Sequence, residues 1–80
     1  MGFKMEMNWE IITHKQAERL DERKFELIKD GYQMYPMDTA LPIHTYEDKE
    51  AFGKAVIVKV EWGSGRTTMY YELVSLASVN

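Results

Sequence analysis

KAVIVKVEW (residues 54–62) and TTMYYELVSL (67–76), joined by GSGR (63–66), are the clearest β-forming runs in the chain. Both are rich in β-branched and aromatic residues, which favour strands. Pairing Trp62 with Thr67 across a four-residue loop sets Val60 against Met69, Val58 against Tyr71 and Val56 against Leu73. One face is then wholly apolar. The other carries Glu61 with Thr68, Lys59 with Tyr70 and Ile57 with Glu72. A loop shorter by one residue would set Val56 against Glu72 and Val58 against Tyr70, mixing the faces. A one-residue slip turns a strand's side chains to the opposite face, so burial selects the longer loop. Beyond Leu73 the apolar positions move to Val74 and Leu76, which marks a bulge or a second buried face near the end.

Working outward, residues 24–29 alternate Lys24 and Glu26 with Phe25 and Leu27, and end at Asp30-Gly31, a turn dipeptide. They read as a strand closed by a turn. One helix over 15–29 would place Phe25 off the face of Leu20, Leu27 and Ile28, so the strand is preferred. Residues 3–11 alternate strictly: Phe3, Met5, Met7, Trp9 and Ile11 point one way, and Lys4, Glu6, Asn8 and Glu10 the other. Period two over nine residues predicts a half-buried strand. Residues 14–24, HKQAERLDERK, are the most polar stretch and fit either a short solvated helix or a loop.

Tyr35 and Leu41 precede prolines, which disfavours helix at both. Residues 35–38 read as a turn with proline at its second position, and 42–46 as a short strand with Pro42 first. Residues 47–53 form a loop or a single helical turn capped by Thr45 and stopped by Gly53. The expected fold is therefore all-β and mainly antiparallel: a small barrel or rolled sheet of five to six strands. At most one short helix is allowed, within 15–22 or 46–52. Residues 1–80 make one small β-barrel-like domain.

The composition sets further limits. Eighty residues with 45% hydrophobic and 29% charged side chains describe one small globular domain. A chain this size buries about 60% of its extended surface, so its core is modest. It contains no cysteine, which removes disulfides, thiolate nucleophiles and cysteine-rich zinc sites. No apolar run approaches membrane-spanning length, and the N-terminus lacks the basic start and apolar block of a signal peptide. No membrane is expected, and the expected location is the cytoplasm. The net charge is -3, with six basic and seven acidic residues in 1–30 and four and six in 31–80. Neither part is a basic face, so nucleic acid is not expected as a partner.

KDGYQMYPMDTALPI (29–43), GKAVIVKVEW (53–62) and TTMYYELVSLASVN (67–80) together resemble a family of small uncharacterised proteins from low-GC Gram-positive bacteria. The resemblance spans most of the chain, and YELVSLASVN (71–80) is its most specific part. It implies a bacterial protein. Because that family has no assigned function, it implies no catalytic or binding residue.

Nothing in the sequence forms a catalytic motif. His44, Glu47 and Asp48 lie close together, but without zinc-ligand spacing, so no metal and no cofactor is expected. Ser64 sits in a hairpin loop rather than a nucleophile elbow. Gly63-Ser64-Gly65 leads into a strand rather than a helix, so it is no phosphate loop. The unusual feature is 31–46, which has no Lys or Arg and a single acid, Asp38. It carries Tyr32, Met34, Tyr35, Met37, Leu41 and Tyr46, residue types that either finish the core or dock a partner.

Two functions follow from different classes. The first is a non-enzymatic protein-interaction module that uses 31–46 or an exposed strand edge to bind a protein partner or, as a weak homodimer, itself. The second is a small enzyme or ligand-binding domain with a site near His44, Asp38 and Tyr46. A deep pocket converging on His44 would favour the second, and a flat apolar patch the first.

Overall fold

The computed structural model describes residues 6–76. These hold eight strands: β1 (Glu6–Met7), β2 (Ile11–Ile12), β3 (Glu18–Arg19), β4 (Lys24–Asp30), β5 (Gln33–Met34), β6 (Ala40–His44), β7 (Gly53–Gly63) and β8 (Arg66–Leu76). Six form a mixed sheet in the order β2-β6-β7-β8-β4-β3, and β1 and β5 form a separate parallel pair. No helix occurs among the described residues.

The β7–β8 hairpin is the spine. Trp62 pairs with Thr67 and Val60 with Met69, as its hydrophobic pattern requires. The ladder extends one pair further, Gly63 with Arg66, leaving a two-residue loop. Ser64 (φ 55°) and Gly65 (φ 74°) both occupy the left-handed region, the signature of a type I′ turn. Beyond Lys59 the expected register fails. Lys59 pairs with Tyr70 but Ile57 pairs with Tyr71, so Val58 is the extra residue of a β-bulge. Ile57 and Ala55 therefore take the core positions expected for Val58 and Val56. Ile57 is fully buried and Val58 is 45% exposed. A second irregularity, where Ala55 pairs with Leu73 and Lys54 with Ser75, makes Val74 the extra residue on β8. This is the bulge that the switch after Leu73 implied. The two bulges offset each other and bend both long strands.

Curvature also follows from chain length. β2 and β3 lie at opposite edges of the sheet, yet only residues 13–17 join them. Six strands laid flat would separate these edges by about 24 Å. Six Cα steps reach about 20 Å at most. A tight turn at Thr13–Gln16, closed by Gln16 N–H donating to the Thr13 carbonyl at 2.8 Å, shortens the reach further. The sheet must therefore curl, and it forms a half-barrel. Ile11, Leu27, Tyr35, Leu41, Ile43, Ala55, Ile57, Met69 and Tyr71 fill its concave side. Phe25 stacks on Tyr71 with ring centroids 5.3 Å apart.

Residues 31–37 cross the hairpin end of the concave face. Thr67, fully buried, holds this crossing with one hydroxyl. It accepts the Gln33 N–H and donates to the Gly31 carbonyl, both at 2.8 Å. Met37 then bridges to Ile57. At the other end Gly53 faces Ser75, where any Cβ would run into the Ser75 carbonyl oxygen.

Several sequence expectations need correction. The alternation over 3–11 is not one strand: β1 and β2 are separated by residues 8–10, and Met7 and Trp9 are exposed while Ile11 is buried. Phe3 and Met5 lie outside the described residues. No helix forms in 15–22, because Glu18 and Arg19 pair with Glu26 and Phe25 at the sheet edge. None forms in 46–52 either, where the Phe52 N–H donates to Ile43 O at 2.9 Å and His44 Nδ1 donates to Lys49 O at 2.8 Å. The turn before β6 centres on Asp38 (φ 58°), later than expected. Pro42 lies inside β6 rather than at its start. Its neighbour Ile43 offers its carbonyl to Phe52, and His44 offers its own to Thr13 on the opposite side. By alternation the Pro42 nitrogen faces the β2 side, where β2 reaches only Ile43 and His44, so no ladder bond is lost.

Candidate functional site

The residues proposed from sequence do not make one surface. Tyr35 and Leu41 belong to the core, at 8% and 2% exposure. Tyr32 sits at the hairpin tip, its hydroxyl accepting the Gly65 N–H at 3.1 Å. Met34 and Met37 are exposed. Tyr46 is also exposed but belongs elsewhere, its ring centroid 5.7 Å from that of His14.

Around Met34 the exposed groups are apolar and locally ordered. Met7 pairs directly with Met34 in the parallel β1–β5 ladder. Asn8 fixes that ladder: its amide N–H donates to Met34 O at 2.8 Å, and its side chain donates to Gln33 Oε1 at 2.8 Å. The indole N–H of Trp62 donates to Gln33 O at 2.8 Å, which brings that ring to the same ribbon while leaving it 49% exposed. Trp9 and Met37 extend the exposed apolar set on either side in sequence.

His44 does not organise a pocket. Its Nδ1 donates to the Lys49 carbonyl, and its buried Nε2 lies 3.3 Å from Glu10 Oε2. That contact lies within ion-pair range but is not aligned as a hydrogen bond. Asp38 is at the opposite end of β6. Glu47 turns to His14 rather than to His44. Among the described residues no group of three or more acidic, histidine or cysteine side chains could hold a metal ion.

The cleft with chemistry lies at the seam of the half-barrel. Its volume is about 600 Å³, and it runs between His14 and Glu18 on one wall and Glu26, Lys29 and Asp30 on the other, with Arg66 at one end. Three side chains from distant parts of the sequence meet beside it. Lys29, on β4, donates to His14 Nδ1 at 3.3 Å. The opposite ring nitrogen, Nε2, contacts Glu47 Oε1. Because the ammonium occupies Nδ1 as donor, the ring proton belongs on Nε2, directed at the carboxylate. Burial lowers the Lys29 pKa below its ordinary value, and the charge of Glu47 pulls in the opposite direction. His14 and Lys15 hold φ values of 50° and 61°, so the turn that presents the imidazole has two non-glycine residues in the left-handed region. Such strain is concentrated at functional positions.

The same cleft exposes a length of sheet edge. Gly31 N–H donates to Gly65 O, on the β8 side, whereas Lys24 O accepts the Leu20 N–H, on the β3 side. Backbone direction alternates along a strand, so the even residues of β4 face away from β8. β3 pairs only with Phe25 and Glu26, so the backbone groups of Ile28 and Asp30 open onto the cleft.

Sequence reading missed this cluster. His14, Lys29 and Glu47 are far apart in the chain: His14 and Glu47 sit in polar stretches that read as loop or short helix, and Lys29 ends the strand 24–29. No helix among the described residues is long and apolar enough to cross a membrane.

Comparison with known proteins agrees with this picture of a fold without an assigned activity. The chain is 41% identical to an uncharacterised protein, YtmB of Bacillus subtilis (strain 168), over 80 residues and the full length of both. It also matches the X-ray crystal structure of B. subtilis ytmB with a TM-score of 0.93 and 40% identity, covering 100% of this chain and 99% of that one. Residues 1–80 match a single family throughout, and the chain belongs to that family, the domain of unknown function DUF2584.

Proposed function

We propose that this protein is a non-enzymatic interaction module that docks another protein on the apolar surface of the β1–β5 ribbon. The observation that carries this reading is the exposed trio of Met7, Met34 and Trp62, fixed to one ribbon by the Met7–Met34 pairing and the Trp62–Gln33 hydrogen bond. Met37 continues the same segment. Trp is prominent among residues that anchor interfaces, and Met adapts to irregular partners. A ribbon ordered by hydrogen bonds also loses little entropy when covered. We take the partner to be a different protein rather than a second copy, since the buried core residues pack against one another within one chain. The location that suits this role is the bacterial cytoplasm.

Site-specific photo-crosslinking tests the reading. A photoreactive residue at position 34 is expected to give one discrete adduct in cells of the source bacterium, which Trp62→Glu abolishes. The same residue at exposed Lys59, on the opposite face of the sheet, is expected to give none. An adduct at position 59 equal to that at 34, or none at 34, contradicts the proposal.

A further inference from the structure

The seam cleft carries an arrangement that protein docking does not use. A nucleophile, a base in hydrogen-bond reach of it and a third group orienting the base are the parts of a catalytic triad, whatever the residue types. Lys29, His14 and Glu47 have that connectivity, and Lys29 and His14 border an open cleft. His14 is held by its backbone as well, its N–H donating to Thr45 O at 2.7 Å. Its strained φ shows that the fold keeps a histidine where glycine or asparagine would sit more easily.

We propose that Lys29 forms an imine with a small 2-oxo acid, with His14 as its base and Glu47 as the positioning residue. The cleft supplies groups for both ends of such a molecule. The carbonyl carbon meets the amine of Lys29. The carboxylate meets the guanidinium of Arg66 and the backbone N–H of its cross-strand neighbour Asp30, which has no strand partner on the cleft side. Glu18 and Glu26 also line the cleft, and Asp30 lies across the ladder from Arg66, so anion affinity is confined to the Arg66 guanidinium and restricted to small acids.

The steps balance without any further reactant. The Lys29 ammonium gives a proton to His14 Nδ1, and the resulting imidazolium is held against the Glu47 carboxylate. The amine lone pair attacks the carbonyl carbon, forming a C–N bond. As the nitrogen loses a proton and the carbonyl oxygen gains one, a carbinolamine results. His14 then returns its proton to that hydroxyl, the C–O bond breaks, water leaves and a protonated imine remains. The amine is used in its neutral form, and the burial that lowers the pKa of Lys29 favours that form.

Glyoxylate with cyanoborohydride traps the imine as a stable adduct that peptide mass spectrometry can assign to each lysine. Acetaldehyde, which lacks the carboxylate, serves as the comparison. Lys29 is expected to label about tenfold faster than Lys59 with glyoxylate. Arg66→Gln is expected to remove the advantage with glyoxylate but not with acetaldehyde. Glu47→Gln is expected to slow Lys29 with both reagents while leaving the Lys59 rate and the melting temperature unchanged. Both variants change exposed side chains, so folding is retained. Labelling of Lys29 no faster than Lys59, or an Arg66→Gln effect equal for the two reagents, overturns the proposal.

Discussion

Ile57 and Val58 are adjacent, similar in chemistry and opposite in fate. Ile57 is fully buried against Tyr71, while Val58 is the bulged residue and 45% exposed. Ile57→Asp is expected to abolish folding, because it buries a carboxylate without a partner. Val58→Asp is expected to cost less than about 1 kcal/mol, since the new charge reaches water. A thermal melt of both variants checks this, and equal loss from the two would refute the bulge. The sequence conceals the difference. Residues 55–58 are all apolar, so no polar residue marks which of them faces outward. The tip of the hairpin was legible because Glu61, Thr68 and Lys59 mark the outer face there. Val74 could be suspected as a bulge because the apolar positions visibly change phase after Leu73.

The elements that sequence misreads are those decided by partners rather than by local preference. Residues 14–24 are rich in helix formers, yet Glu18 and Arg19 finish a sheet edge, where pairing with β4 outweighs propensity. The N-terminal alternation is real, but it spans two short strands in different sheets. The turn at Thr13–Gln16 was invisible because His14 and Lys15 are not turn-forming residues. Lys15 is exposed, and its φ of 61° is cheap only for glycine. Lys15→Gly is therefore expected to stabilise the protein by about 1 kcal/mol, the relief of one left-handed residue. Urea denaturation measures it. A lower midpoint at unchanged slope would show that the turn is not strained.

At the scale of the whole molecule, the core depends on two tyrosines whose phenols must stay protonated. Burial pushes both Tyr35 and Tyr71 up from 10.0 to about 12. Between those values the folded state holds protons that the unfolded state has released, so stability falls as pH rises through this window. Each tyrosine contributes up to about 3 kcal/mol of that loss. Lys29 acts in the opposite sense: its lowered pKa makes the folded state bind fewer protons, which favours folding as pH rises towards 10.5. Above 10.5 Tyr35 and Tyr71 act together with Tyr70, which its hydrogen bond to Glu26 also pushes up to about 12, and the urea midpoint is expected to drop there. The double variant Tyr35→Phe, Tyr71→Phe should flatten the drop; an equally steep loss in it would contradict the assignment. The all-β class and the rolled sheet were readable from alternation and turn residues, whereas the seam was not, because its members meet only once the sheet has curled. The proposed docking of a different protein requires that the exposed Met7, Met34 and Trp62 not be covered by a second copy. Sedimentation velocity across a hundredfold concentration range, paired with melting curves, tests this most directly, because self-association raises the melting temperature with concentration. One species of monomer mass with a constant melting temperature is the predicted result. A dimer that forms on concentration and is lost in Met34→Glu would contradict it, by showing that a second copy covers the ribbon.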